Sequence, residues 1–130
     1  NRQLFEFVDA SIDVLELDGE HTANFHLVFM TMLTRLVGIA PDEETYAAGS
    51  WLDLREGCFT LLRPAHQDVA QPEVARRIAL FLRGGFEGVA MPMNRDERNC
   101  CLDALMDYYR LHLPSFPELK SVPILRQLFQ

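Results

Sequence analysis

Residues 25–42 read FHLVFMTMLTRLVGIAPD, and this stretch decides the fold. Phe25, Leu27, Val28, Phe29, Met30, Met32, Leu33, Leu36 and Val37 cover nearly the whole circumference of a helix over residues 21–37. A helix that is apolar all round must be enclosed by other elements, so the stretch predicts the central helix of a bundle. Gly38 supplies a left-handed C-terminal cap, and Pro41 bars continuation.

Working towards the N-terminus, Phe5, Val8, Ile12 and Leu15 recur at helical spacing, with Glu6, Asp9, Asp13 and Glu16 on another face. That pattern predicts an amphipathic helix with a solvated acidic stripe, broken at Asp18-Gly19. Towards the C-terminus the period changes. Trp51-Leu52-Asp53-Leu54 and Cys58-Phe59-Thr60-Leu61 flank Arg55-Glu56-Gly57, which predicts a β-hairpin with a three-residue loop; Arg63-Pro64 ends it. Pro72 suits the first turn of a further helix, with Val74, Ile78, Phe81 and Leu82 inward and Arg76, Arg77 and Arg83 on its polar face. Gly84, Gly85 and Gly88 loosen the chain beyond it, and Pro92 interrupts it.

Asn94, with Glu97 three residues later, has the form of a capping box. The helix that follows runs to about Leu113 and carries Leu102, Leu105, Tyr109 and Leu113 on one stripe. Asp96, Asn99, Asp103, Asp107 and Arg110 form the opposite one. Pro114 and Pro117 stop it, and Ser121 caps a short last helix with Pro123 in its first turn. The expected fold class is all-α: a compact bundle of about five helices with a β-hairpin insertion at residues ~50–62.

The chain has 130 residues, the size of one domain. With 48% hydrophobic and 24% charged residues it has an ordinary globular composition and needs neither metal nor disulfide to complete a core. No apolar run approaches the ~20 residues that span a bilayer, so no membrane role is expected. Three cysteines do not make a disulfide framework and read as reduced thiols in a cytosolic protein. The chain begins without methionine on a helical pattern, which suggests a piece of something longer. Net charge is −7, with eleven acids against three basic residues in 1–60 and eight against nine in 61–130. Phosphate backbones are held chiefly by Lys and Arg, and there is one Lys. Arg76, Arg77 and Arg83 make only a weak basic patch, so little affinity for single-stranded DNA is expected of this chain alone.

Candidates for chemistry are few. His26 lies in the most apolar helix and His112 near a helix end, where the dipole favours a cation; neither has a nucleophile at recognisable spacing. Both read as structural, and no catalytic residue is assigned. A small enzyme built on either would need a concave pocket around it. Cys100 and Cys101 point about 100° apart on a helix and cannot bridge without breaking it, so one belongs to the core and the other to its edge. No Cys-x-x-Cys pair, phosphate-binding glycine loop or calcium loop is present. No metal and no cofactor are expected.

Three stretches resemble the C-terminal domain of the bacterial recombination mediator RecO. Residues 25–42 resemble that family's buried helix ending in a Leu-Leu-Gly-Tyr-x-Pro type of turn. Residues 46–59, YAAGSWLDLREGCF, take the place of its small zinc-ribbon-like hairpin. Residues 108–121, YYRLHLPSFPELKS, are similar to its Tyr-x-x-x-His-Leu helix end followed by Leu-Lys-Ser. The order and spacing cover essentially the whole chain, 1–130. One departure concerns the insertion, which many members hold with two Cys-x-x-Cys pairs. Here Tyr46 and Gly49 stand in place of the first pair, and only Cys58 lies near the second. The insertion therefore reads as a metal-free hairpin held by Trp51, Leu54 and Phe59.

The resemblance implies a non-enzymatic DNA repair and homologous recombination mediator of the RecF-pathway type, cytoplasmic, bacterial and nucleoid-associated. Such a protein anneals strands and helps load the recombinase on strands coated by single-stranded-DNA-binding protein (SSB). Its partners would be the SSB C-terminal tail, RecR, and single-stranded DNA, the last mainly through an N-terminal OB-fold absent from this chain. The tail ends in an aromatic residue with a free carboxylate, which calls for an apolar pocket beside one or two cations. Arg35, Arg110, Lys120 and Arg126 are the candidates. The alternative is a helical protein–protein adaptor unrelated to DNA repair, from which an upstream OB-fold would distinguish it.

Overall fold

The computed structural model describes residues 22–114. The helices predicted near residues 5–15 and 121–128, with Lys120 and Arg126, lie outside that range.

Helix α1, Thr22–Leu36, forms where the apolar run predicted it. Phe25, Leu27, Val28, Phe29, Met30 and Leu33 are all buried, and so are Thr31 and Thr34 between them. The two hydroxyls return to the helix itself: Thr31 Oγ1 donates to Leu27 O at 2.8 Å and Thr34 Oγ1 to Thr31 O. Buried hydroxyls satisfied in this way avoid the ~1–3 kcal/mol that an orphan polar group costs. Gly38 takes a φ of 83°. Ile39 N donates to Thr34 O at 2.8 Å and Gly38 N to Arg35 O at 3.3 Å, the paired bonds that close a helix over a left-handed residue.

Helix α2, Pro72–Gly84, has Pro at its start and buries Val74, Ile78, Phe81 and Leu82 as the spacing predicts. Arg77 departs from the pattern. Expected on the polar face, its side chain is 8% exposed, and its guanidinium meets Glu97 closely and Glu73 at 3.8 Å. A carboxylate on a neighbouring helix offsets the desolvation that would otherwise keep it outside. Helix α3, Arg95–His112, opens on the expected capping box of Asn94 and Glu97. It buries Cys101, Ala104, Leu105, Tyr108 and Tyr109 and exposes Asp96, Asn99, Asp103, Asp107 and Arg110.

Between α2 and α3 the chain was expected to loosen. Instead residues Gly85–Ala90 form a 3-10 helix packed on α1. Phe86 stacks on Phe25 with ring centroids 5.8 Å apart, and Asn24 Nδ2 donates to the carbonyls of Val89, at 3.1 Å, and Met91. Glycine is needed here for close approach: a Cβ on Gly88 would stand 2.5 Å from Phe81 Cδ1.

The all-α expectation is corrected. Strands β1 (Trp51–Asp53), β2 (Cys58–Thr60) and β3 (Val69–Ala70) form a three-stranded sheet in the order β2-β1-β3, so the fold is mixed α and β. Both pairings are antiparallel, with Leu52 opposite Phe59 on one side and Ala70 on the other. The hairpin sits inside the predicted interval, but its loop is residues 54–57, because Leu54 leaves the ladder to β2; its N–H donates to Asp68 O at 2.9 Å instead. Leu52, Leu54, Phe59 and Ala70 join the same hydrophobic core as the helices, so the sheet is a wall of that core. The end of α3 ties it down through His112, whose Nε2 lies 2.5 Å from Leu54 O, while the Tyr108 hydroxyl donates to Ile39 O just beyond α1. On α3's inner side the Tyr109 hydroxyl donates to Met30 O in α1.

Candidate functional site

Helices α1 and α2 end side by side, and an apolar groove of about 340 Å³ opens between their last turns. Met32, Leu36 and Leu82 supply its apolar lining, Gly84 and Gly85 its edge, and Arg35 and Arg83 its charge. Both arginines stand in the last turn of their helices, where the partial negative charge of the helix end favours a cation. Neither is withdrawn from solvent, their side chains being about half exposed.

One carboxylate faces both. Glu43 begins a 3-10 turn, Glu43–Thr45, that Asp42 caps through its side chain. Glu43 Oε1 lies 2.8 Å from Arg35 Nη2, and its Oε2 lies 3.8 Å from Arg83 Nε. Arg83 Nη2 also donates to the Glu43 carbonyl at 3.3 Å, and its guanidinium lies 5.4 Å from the centroid of the Tyr46 ring. Tyr46 in turn meets Phe59 edge to face at 5.2 Å. Around Tyr46, where the resemblance would place cysteine ligands, the hairpin is thus joined to α2 by aromatic and cation–π packing. Among the described residues, no group of three or more His, Cys, Asp or Glu is arranged to hold a metal ion.

Of the other candidates among the described residues, Arg110, Arg76 and Arg77 lie apart from this groove. Arg110 pairs with Asp107 at 3.1 Å on the outer face of α3. Arg76 is exposed beside Glu73, Arg77 is buried against Glu97, and Arg83 belongs to the groove; the three do not form one surface cluster. Of the two tail-binding candidates among the described residues, Arg35 and Arg110, Arg35 is the one that lines the groove. The sequence reading missed its association with Arg83, and with Glu43 between them. The available signal was that each arginine precedes a helix-ending glycine, within three residues for Arg35 and one for Arg83.

Among the described residues, His112, Cys58 and Cys101 serve the structure. The His112 ring tilts against Tyr108 at 4.2 Å, and since a carbonyl only accepts, its Nε2 carries the proton toward Leu54 O. Burial pushes the pKa of His26 below the ordinary 6.5. Burial raises the Cys101 thiol to about 12, and burial with the charges of Asp53, Glu56 and Asp42 raises Cys58, so both stay protonated at neutral pH. Cys100, next to the buried Cys101, is exposed. No helix among the described residues is long and apolar enough to cross a membrane.

No solved structure gives a significant match to the chain. Among curated proteins, the DNA repair protein RecO of Phocaeicola vulgatus is 42% identical over 130 residues, covering 99% of this chain and 54% of that protein. RecO of Bacteroides fragilis is 42% identical over 131 residues with the same coverage, and RecO of Porphyromonas gingivalis is 42% identical over 132 residues, covering 97% and 53%. The chain therefore spans about half the length of the curated relatives it matches. The family model described as "Recombination protein O C terminal" matches residues 1–122, and the chain belongs to that family.

Proposed function

We propose that this chain is the partner-docking part of a DNA repair and recombination mediator, and that the groove between α1 and α2 receives an acidic peptide ending in an aromatic residue, the SSB-type tail. The observation that carries the reading is the pairing of Arg35 and Arg83 across an apolar lining of Met32, Leu36 and Leu82. A terminal aromatic ring needs apolar walls, and its carboxylate needs charge-assisted hydrogen bonds, worth about 1.5–3 kcal/mol when well made. The groove's volume lies at the small end of the range for ligand sites, ~300–1,000 Å³, which suits one ring and its immediate neighbours.

RecR contact, strand annealing and recombinase loading belong to the same proposal at the level of the whole mediator. Single-stranded DNA would be engaged mainly by an OB-fold outside this chain, because the net charge of −7 opposes phosphate binding here. A non-catalytic role is supported by the placement of the titratable groups: His112 is engaged with Leu54 O, and the Cys58 and Cys101 thiols are held protonated.

Calorimetric titration tests the docking reading. A short acidic peptide ending in phenylalanine should bind, and the same peptide without its phenylalanine should not. Arg35→Glu should weaken binding tenfold or more, about 1.4 kcal/mol, with little change in melting temperature, since Arg35 is exposed. Equal binding of both peptides, or of neither, would remove the role.

A further inference from the structure

Arg35 and Arg83 are not waiting empty-handed. Glu43 presents one carboxylate oxygen to each, at 2.8 Å and 3.8 Å. That is the kind of two-pronged contact a ligand carboxylate would make with the same guanidiniums. Resting on the docking reading above, we propose that Glu43 is a resident competitor that sets the specificity of the groove: an anion enters only by displacing it, and only an anion with an apolar anchor gains enough to do so.

Three observations support exchange over permanent closure. First, Glu43 Oε2 is buried yet has no hydrogen-bond partner among the described residues, and its ion pair with Arg83 is long, at 3.8 Å. A shielded oxygen without a hydrogen bond is poorly stabilised where it lies. Second, the turn that carries Glu43 is anchored on both sides independently of its side chain. Asp42 N donates to Gly57 O at 2.8 Å, and Phe59 N donates to Thr45 Oγ1 at 2.8 Å. The side chain can therefore swing away by rotation about its own bonds while the backbone stays in place. Third, both ion pairs are partly exposed, and exposed pairs are individually weak, which puts displacement within reach of a modest ligand.

Selectivity follows from the balance. A bare phosphate or acetate would exchange one carboxylate–guanidinium contact for an equivalent one and gain nothing. A peptide carboxylate attached to an aromatic ring adds burial against Met32 and Leu36, which are only partly buried, over the already buried Leu82; Glu43 has no apolar group to add there. Displaced, Glu43 remains tethered beside the site next to Glu44, a negative rim that further disfavours simple anions.

The test compares the wild-type 130-residue chain with Glu43→Gln, titrated with the phenylalanine-ending acidic peptide and, separately, with inorganic phosphate. The variant should bind the peptide about fivefold more tightly, the factor that one exposed ion pair represents, and should acquire phosphate binding that the wild type lacks. Adding Arg83→Gln to Glu43→Gln should cancel both gains. If the wild type binds the peptide and Glu43→Gln binds it equally or more weakly, the competitor role is overturned while the docking reading stands. If neither chain binds the peptide, the docking reading fails and the competitor role with it. Peptide binding by the variant alone would show that Glu43 closes the groove rather than selecting what enters it, and would overturn the competitor role. Should Glu43→Gln not fold, Glu43→Asp, one methylene shorter, carries the comparison: tighter binding than the wild type supports the competitor, and equal or weaker binding overturns it.

Discussion

Glu97→Gln measures what the buried arginine of α2 requires. Arg77 is 8% exposed at its side chain, and Glu97 is its close partner; Glu73, at 3.8 Å and 73% exposed, is a weak substitute. Glutamine keeps an oxygen for the Asn94 N–H, which donates to Glu97 Oε1 at 2.8 Å, so the cap survives and only the charge is lost. Removing one partner of a fully buried pair costs about 3–5 kcal/mol. Glu97 itself is 32% exposed, so water and Glu73 recover part of that, and the expected loss is about 2 kcal/mol. For a chain of this size that is a fall in Tm of roughly 8 °C, read by thermal melting with denaturant titration as a check. Arg76→Gln is the control: its contact with Glu73 at 3.6 Å is exposed, and the change should stay within about 0.5 kcal/mol. The double replacement Arg77→Met with Glu97→Gln should recover most of the loss, because it removes the stranded charge and keeps the capping oxygen. A Glu97→Gln variant within about 0.5 kcal/mol of the wild type would refute the idea that Arg77 is buried on the strength of that one carboxylate.

Two further predictions concern α1 and its surroundings. Because burial lowers the pKa of His26 below 6.5, the unfolded chain takes up the proton first. Stability should be full above pH 6.5 and should fall as the pH drops below it, and His26→Gln should flatten the Tm profile between about pH 7.5 and 5; an unchanged slope would show that another group carries it. Gly88→Ala places a methyl 2.5 Å from Phe81 Cδ1 and 3.4 Å from Val28 Cγ2, both in the buried core, and should cost about 1–3 kcal/mol in chemical denaturation; a neutral result would mean that the 3-10 helix Gly85–Ala90 can shift as a unit.

The three helices were legible because each carried both a period and a terminus signal: the apolar run with Gly38, Pro72 with its inward residues, and Asn94 with Glu97. Strand β3 was not, since two residues, Val69–Ala70, are too few to show alternation; only tertiary pairing with β1 makes them a strand. Arg77 was misplaced for a related reason. Helical spacing assigns a side chain to a face but cannot say whether a facing helix carries a carboxylate. Gly84, Gly85 and Gly88 were read as flexibility, whereas Gly88 marks a close approach to Phe81, a contact visible only once the 3-10 helix Gly85–Ala90 folds back on α2. Of the groove, Arg35 was legible from its place at a helix end. Arg83 and Glu43 were not, because they lie 48 and 8 residues from it and meet it only where the helices converge.

The bonds by which α3 closes the structure also set a timetable for the growing chain. Met30 O waits for the hydroxyl of Tyr109, 79 residues later, Ile39 O for Tyr108, 69 later, and Leu54 O for His112, 58 later. At ~5–20 residues per second the ribosome needs about 4–16 s to cover the longest of these intervals. Throughout that time α1, the most apolar of the described helices, has been made and α3, one of the elements that cover it, has not. Nascent α1 is therefore a natural client for a chaperone that shields apolar segments. The three bonds to Met30, Ile39 and Leu54 can form only after the last turn of α3 has left the ribosome.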